Sequence, residues 1–246
     1  MSDLPIASDL PDSFVPYDDR TQPAARIEHY AETWVRTPDR PLNRRPMTLT
    51  EITGPTRLAA KLKPGDNDLA HPYPDRPRAA GQVIHVTGRV TDEDGRPVTA
   101  SVIELWHCNA NGRYIHPMDA KSPNPIDENF IGSGRVATDA DGRFVFRTIK
   151  PAAYPYPNHP TRWWRPPHIH MSLFGDGFMS RLVTQMFFPG EPFNDIDLIL
   201  QSVPDPKGRE RMIARQLPMS EAIDPNVVVY AHDIVLRGRR QTPFGM

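Results

Sequence analysis

From Gly81 onward the chain alternates apolar and polar positions in short runs separated by turn residues. Val83, Ile84, Val86 and Val90 lead into Asp92-Glu93-Asp94-Gly95, and the run Val98 to Trp106 follows. Apolar runs on either side of an Asp-Gly turn predict a β-hairpin. A second unit repeats the design, with Val136-Ala137, then Asp139-Ala140-Asp141-Gly142, then Phe144 to Ile149. Farther on, Ile169, Met171 and Leu173 alternate with His168, His170 and Ser172. Alternate side chains of a strand point to opposite faces, so this strand has one apolar and one polar face. Leu182 to Phe188 reads as another strand, closed by Pro189-Gly190, and Val227 to Leu236 as a late strand returning to the sheet. The expected fold is all-β, a β-sandwich of mixed hairpins with long functional loops and few short helices.

Helical patterning is confined to short pieces. Pro206–Leu217 predicts a helix with Met212, Ile213 and Leu217 on its apolar side, Ala24–Val35 a turn or two, and Thr48–Ile52 another. Tyr30 and Trp34, four apart, would share one face of such a turn. Residues 1–80 show little sustained periodicity. They are expected to form an extended N-terminal arm that wraps a partner or the main domain, with 81–246 as the main β-sandwich domain. Between the two hairpin units, Asn109–Phe130 is a long loop, and long loops in compact domains usually carry function.

Composition sharpens this picture. Prolines number 29 among 246 residues, which excludes long helices and favours short strands and fixed loops. Lys plus Arg is 29 against 30 for Asp plus Glu, giving a net charge of -1. That balance speaks against a nucleic-acid or anionic-membrane partner. Cys108 stands alone, so no intramolecular disulfide framework exists. With no long apolar run and no basic-apolar leader at the start, a soluble cytoplasmic protein is expected.

Chemistry concentrates in Ala153–His170, AYPYPNHPTRWWRPPHIH. Its final His-Ile-His puts two imidazoles on one strand face, where they could satisfy hydrogen bonds or hold a metal ion. A structural zinc site of several thiolates is impossible with one cysteine. The His-x-Asp or His-x-Glu spacing of a ferrous triad is absent here. Tyrosine is the remaining rich source of hard oxygen. A phenol titrates near pH 10 in water, and a trivalent cation pulls that value down until phenolate is the bound form. Two phenolates with two imidazoles would suit ferric iron.

Four separated motifs carry a resemblance. ELWHCNANGRYIH (Glu104–His116), FRTIKPAAYPYP (Phe146–Pro157), WRPPHIH (Trp164–His170) and VTQMFFPGEP (Val183–Pro192) occur in the order seen in intradiol ring-cleaving dioxygenases. The arm segment HYAETWVRTP and the closing DIVLRGRRQTPF are similar to the β subunits of the protocatechuate-cleaving branch, and the resemblance runs from about Phe14 to Phe244. It implies a β-sandwich with a non-haem Fe(3+) site. The ligands it implies are Tyr114, Tyr154, His168 and His170, with Tyr154 and His170 axial and a hydroxide completing the shell. Arg165 and Gln185 would face the substrate, where a fixed guanidinium can stabilise negative charge on the ring. Tyr154 would leave the metal when the diol binds. Tyr30, Tyr156 and Ile199 would line the substrate pocket. The implied substrates are a catechol-type diol and O2, and the implied partner is a homologous α subunit. Tyr156 and Pro157 depart from the pattern, a tryptophan and a basic residue being usual there. They make sulfonate an alternative to carboxylate as the ring substituent. Four other histidines, His107, His116, His159 and His232, read as structural or exposed. The Asp-Gly hairpins also resemble transthyretin-like binding modules, which lack the Tyr114, Tyr154, His168 and His170 set.

Overall fold

The computed structural model describes residues 22–40, 61–156, 163–175, 182–221 and 223–245. Thr48–Ile52, Pro157 and His159 lie outside them. In chain order the described strands are β1 (Val83–Thr91), β2 (Val102–Trp106), β3 (Ser133–Ala137), β4 (Arg143–Ile149), β5 (Tyr154–Pro155), β6 (Trp164–Arg165), β7 (His168–Phe174), β8 (Leu182–Phe187), β9 (Arg215–Gln216), β10 (Val228–Ala231) and β11 (Ile234–Val235). The described α-helices are α1 (Ala31–Val35), α2 (Leu198–Gln201) and α3 (Pro206–Met212). No described helix is long and apolar enough to cross a membrane.

Two sheets pack face to face. In the first, β1 pairs antiparallel with β4 and in parallel with β10 and then β11, while β9 extends β10. The second is antiparallel throughout, in the order β3-β2-β7-β8. Residues of β1 alternate strictly between buried and half-buried, as a strand with one face on a core must. Ile84, Val86, Phe144 and Phe146 from the first sheet meet Ile103, Leu105, Ile169, Met171 and Leu173 from the second. The sandwich expected from the sequence is the fold observed.

Its connections differ from the expected hairpins. β1 and β2 lie in different sheets, and so do β3 and β4. After the first turn Val98 N–H still bonds to Val90 O, and then the chain leaves the layer near Ala100, whose φ is 53°. The reason lies in how these turns close. The Asp92 carboxylate accepts from Asp94 N and Arg96 N, and Asp139 does the same for Asp141 N and Arg143 N. A turn that satisfies its own amides needs no ladder beyond it, so the two strands can face one core from opposite layers.

The late strand is also divided. Its backbone rises over β1 at His232, where a Cβ on Gly88 would lie 2.0 Å from His232 O. Asp233 Oδ1 accepts from Arg89 N there, leaving β10 and β11 as separate pieces. Helix α3 is shorter than the predicted Pro206–Leu217. Asp205 caps it at Lys207 N, but Ile213 turns extended, with φ -96° and ψ 122°, and Ala214 N–H bonds to Phe187 O at the edge of β8.

Segment 61–80 runs along the sandwich. Leu69, Ala70 and Ala79 are fully buried in the main core, and Leu69 N–H bonds to Arg147 O. In 22–40, Tyr30 precedes α1 with a non-helical backbone (φ -119°, ψ 84°), so its spacing to Trp34 does not place both on one face. Tyr30 is buried and Trp34 half exposed, its indole N–H bonded to Ile27 O.

Two buried histidines make stability depend on pH. His107 lies just past β2, with its ring nitrogens against Thr148 Oγ1 at 2.8 Å and Cys108 O at 2.7 Å. His232 is equally enclosed, with no partner at Nε2 among the described residues. Burial lowers both to about 4, from 6.5. Between those values the unfolded chain binds more protons, so stability is complete above about pH 6.5 and is lost as pH falls towards 4. The maximum is about 3 kcal/mol per histidine. Urea midpoints measured from pH 7 to pH 4.5 should fall steadily, and less steeply in His232→Gln; an equal slope in that variant would contradict this origin.

Candidate metal centre

Strand register builds most of the site. On β7, His170 pairs with Trp106 on one side and with Gln185 on the other, and His168 pairs with Phe187. The polar face of β7 is not a solvent face, since His168 and Ser172 are buried. The ribbon β5–β6 sets Tyr154 directly opposite Arg165. The prolines around it fix φ along both strands and remove competing N–H donors. Tyr154 and the two histidines thus come from adjacent, stiff backbone.

Tyr114 arrives by a different device. Asn109 Oδ1 accepts from Asn111 N and Arg113 N, both at 2.9 Å, Gly112 N–H bonds to Asn109 O, and Gly112 has φ 75°. This is the hydrogen-bond pattern of the Asp92 and Asp139 turns. The three segments read DEDGR, DADGR and NANGR. The first two predict hairpin turns, and the third, inside the long functional loop Asn109–Phe130, carries the same signal for the turn ahead of Tyr114. The Asn109 turn also grips the neighbouring ligand strand. Ala152 N–H bonds to Asn109 O, and a Cβ on Gly112 would sit 3.0 Å from both Ala153 O and Tyr154 Cβ. Tyr114 N–H then bonds to Asp119 Oδ2 at 2.8 Å. One knot therefore holds both tyrosines.

The four side chains converge. Tyr114 and Tyr154 meet edge to face at 5.3 Å between centroids, Tyr154 lies 5.7 Å from His168, and the two imidazoles are 4.9 Å apart. Tyr114 Oη is 3.3 Å from His168 Nε2. His168 Nδ1 sits 2.7 Å from Pro166 O, a contact that requires N–H at Nδ1 and leaves the Nε2 lone pair aimed at the cluster. Trp106 stacks flat on His170, at 4.8 Å and 4°. Burial raises both tyrosines, with the neighbouring phenol adding to the effect on Tyr114 and Arg165 opposing it on Tyr154. Burial, then Arg165, holds His168 well below its ordinary value and lowers His170 to about 3. Metal-free, the cluster is two neutral phenols and two neutral imidazoles.

Arg165 stands beside it with its charge compensated. Nη1 is 3.0 Å from His168 Nε2, Nη2 donates to Gln185 Oε1 at 2.7 Å, and Nε donates to Asp197 Oδ2 at 2.9 Å. Burial works against the guanidinium charge, but Asp197 keeps its pKa above the usual value. Asp197 escaped the sequence reading. Its only sequence signal is a cap position ahead of Leu198-Ile199-Leu200, and it does accept from Ile199 N and Leu200 N.

Tyr30, Tyr156 and Ile199 gather in a second cluster with Ile27 and Trp163. Tyr156 donates to Tyr30 Oη at 3.2 Å, and Trp163 lies 5.5 Å under the Arg165 guanidinium, joining this wall to the ligand cluster. Elsewhere, a groove of about 720 Å³ is lined by residues between Lys63 and Pro74 and by β2 and β3, including Trp106, whose ring stacks on His170.

Comparison with known proteins identifies the family. Residues 52–238 match the protein family described as Dioxygenase. A protocatechuate 3,4-dioxygenase beta chain of Burkholderia cepacia is 44% identical over 235 residues, covering 96% of this chain and 98% of that one. A protocatechuate 3,4-dioxygenase alpha chain of Pseudomonas putida is 30% identical over 171 residues, 69% of this chain and 78% of its own. The crystal structure of 3-chlorocatechol 1,2-dioxygenase from Rhodococcus opacus 1CP shares the fold, with a TM-score of 0.52 at 23% identity over 71% of this chain and 65% of that one. Family match and near full-length relative agree: the chain belongs to the intradiol ring-cleaving dioxygenases.

Proposed function

We propose that this chain is the β subunit of a protocatechuate 3,4-dioxygenase, opening the ring between the two hydroxyl-bearing carbons with O2 to give 3-carboxy-cis,cis-muconate. The convergence of Tyr114, Tyr154, His168 and His170 beside a buried, fixed Arg165 carries the reading. These four would hold Fe(3+). The donor set fits it: two phenols and two imidazoles, with His168 Nε2 turned to Tyr114 Oη and Arg165 Nη1, while the lone thiol of Cys108 points away at Ala152 O. Bound ferric iron would supply the Lewis acidity that ionises the phenols and the diol.

The chain's residues divide the remaining work. Tyr154 Oη, as phenolate, would take one of the diol's two protons, and a solvent-derived hydroxide would take the other. Arg165 Nη1 offers fixed positive charge for electron density pushed onto the ring, and Gln185 Oε1 steadies Nη2. Tyr30, Tyr156 and Ile199 pack against the substrate away from the metal. Residues 1–80 form the arm, and a homologous α subunit completes the assembly; relatives named as beta and alpha chains support that pairing.

Oxygen uptake with protocatechuate, with product identified by mass, tests the reading. It should be compared with catechol and 4-sulfocatechol, with and without a co-expressed α chain; no uptake with any diol would end it. Tyr154→Phe should keep its iron, change colour because one phenolate-to-ferric absorption is lost, and turn over about 10²-fold slower. Wild-type kinetics in that variant would remove Tyr154 from the proton step.

A further inference from the structure

We propose that Asp197 is a positioning residue for this reaction, tying the Nε–Nη2 edge of Arg165 to the helix that carries Ile199 and so holding Nη1 towards the ligand cluster. The inference rests on the role given to Arg165 above.

A guanidinium has five N–H bonds in a rigid fork. At Arg165 one is taken by Asp197 Oδ2 at Nε, and the two of Nη2 are taken by Gln185 Oε1 at 2.7 Å and Asp197 Oδ1 at 3.2 Å. Only the two hydrogens of Nη1 remain, and Nη1 is the nitrogen 3.0 Å from His168 Nε2. Asp197 therefore decides which edge faces the site. Arg165 is 2% exposed and Asp197 fully buried, so the charge on either is tolerated only beside the other. The same Oδ1 accepts from Ile199 N at 3.1 Å and Leu200 N at 2.9 Å. One carboxylate oxygen thus joins the helix bearing the pocket wall to the charge that serves the ring. A substrate pressing on Ile199 acts on the same atom that sets Arg165.

The test uses the full chain, iron-loaded and co-expressed with an α chain, as Asp197→Asn, Arg165→Gln and the double variant. An asparagine keeps a cap oxygen for Ile199 and Leu200 but loses the charge and one arm of the fork. D197N should stay folded and coloured while kcat falls about 10²-fold and KM moves less than threefold. R165Q should be at least as slow, and the double variant no slower than R165Q alone. Near wild-type kcat in folded D197N, with R165Q slow, overturns the proposal and leaves the role of Arg165 standing. Losses that multiply in the double variant overturn it as well. R165Q at wild-type rate overturns both. If D197N fails to fold and the double variant folds, the stranded cation is the cause and the proposal holds; if neither folds, the carboxylate serves the helix cap alone and the proposal fails.

Discussion

His168→Ala should strip the protein of its metal. The imidazole is 1% exposed, pinned at Nδ1 by Pro166 O, and its Nε2 points at Tyr114 Oη. Among the described residues neither neighbour replaces that lone pair: Ser172 lies two residues beyond His170 on the same face of β7, and the Gln185 amide oxygen already accepts from Arg165. Changing a residue that merely orients a ligand costs 10- to 100-fold in metal affinity, so removing a ligand should cost more than about 100-fold. Iron per chain after dialysis against a weak chelator should fall below a tenth of wild type, and oxygen uptake with it. His71→Ala, at an exposed histidine bonded to Arg76 O, should retain both. Full iron in the His168 variant would contradict the ligand set.

Asn109→Asp should unfasten the tyrosines while the reverse exchange at the sister turn does nothing. Asp139 is exposed, and an asparagine there still offers the oxygen that Asp141 N and Arg143 N require. Asp139→Asn should lie within about 0.5 kcal/mol of wild type. Asn109 is buried, and its amide also donates to Pro125 O at 3.0 Å. An aspartate there turns a donor into a charged acceptor against a carbonyl oxygen, at a cost of about 2–4 kcal/mol. Because the turn backs onto Ala152 and Tyr154 as well as leading into Tyr114, the phenolate absorption should weaken along with stability. Thermal unfolding and the visible spectrum of iron-loaded protein check both effects; a stable, fully coloured N109D would show that the turn is dispensable.

Much of this was legible in the chain because strands write their faces at a period of two. The alternation from His168 to Leu173 identified a core stripe and a functional stripe, and the register keeps both. Topology was not legible, because a turn closed by its own aspartate has the same sequence whether the next strand stays in its layer or crosses to the other. Tyr114 was reached through family resemblance, although the NANGR echo of the two Asp-Gly turns stood beside it. Asp197 reads in the sequence only as a helix cap, with nothing to link it to the site. Its partner Arg165 lies 32 residues away, and only the fold brings an ordinary cap residue to a guanidinium.

The crossings at Asp92 and Asp139 also govern the order in which the molecule can be made. β7 and β8 are sequence neighbours that can pair early. β1 has no such neighbour: Ile84 meets Thr148 on one side and Val228 on the other. Throughout synthesis, until Val228 emerges, β1 presents an unpaired edge, the kind of template that invites aggregation. Distant pairings of this sort also slow folding. The last residues then fasten the second sheet too, through Thr184 Oγ1 to Pro243 O and Gly245 N to Val183 O. A chain shortened before β10 would leave the first sheet open along β1, so premature termination should yield insoluble material and not a weakened enzyme.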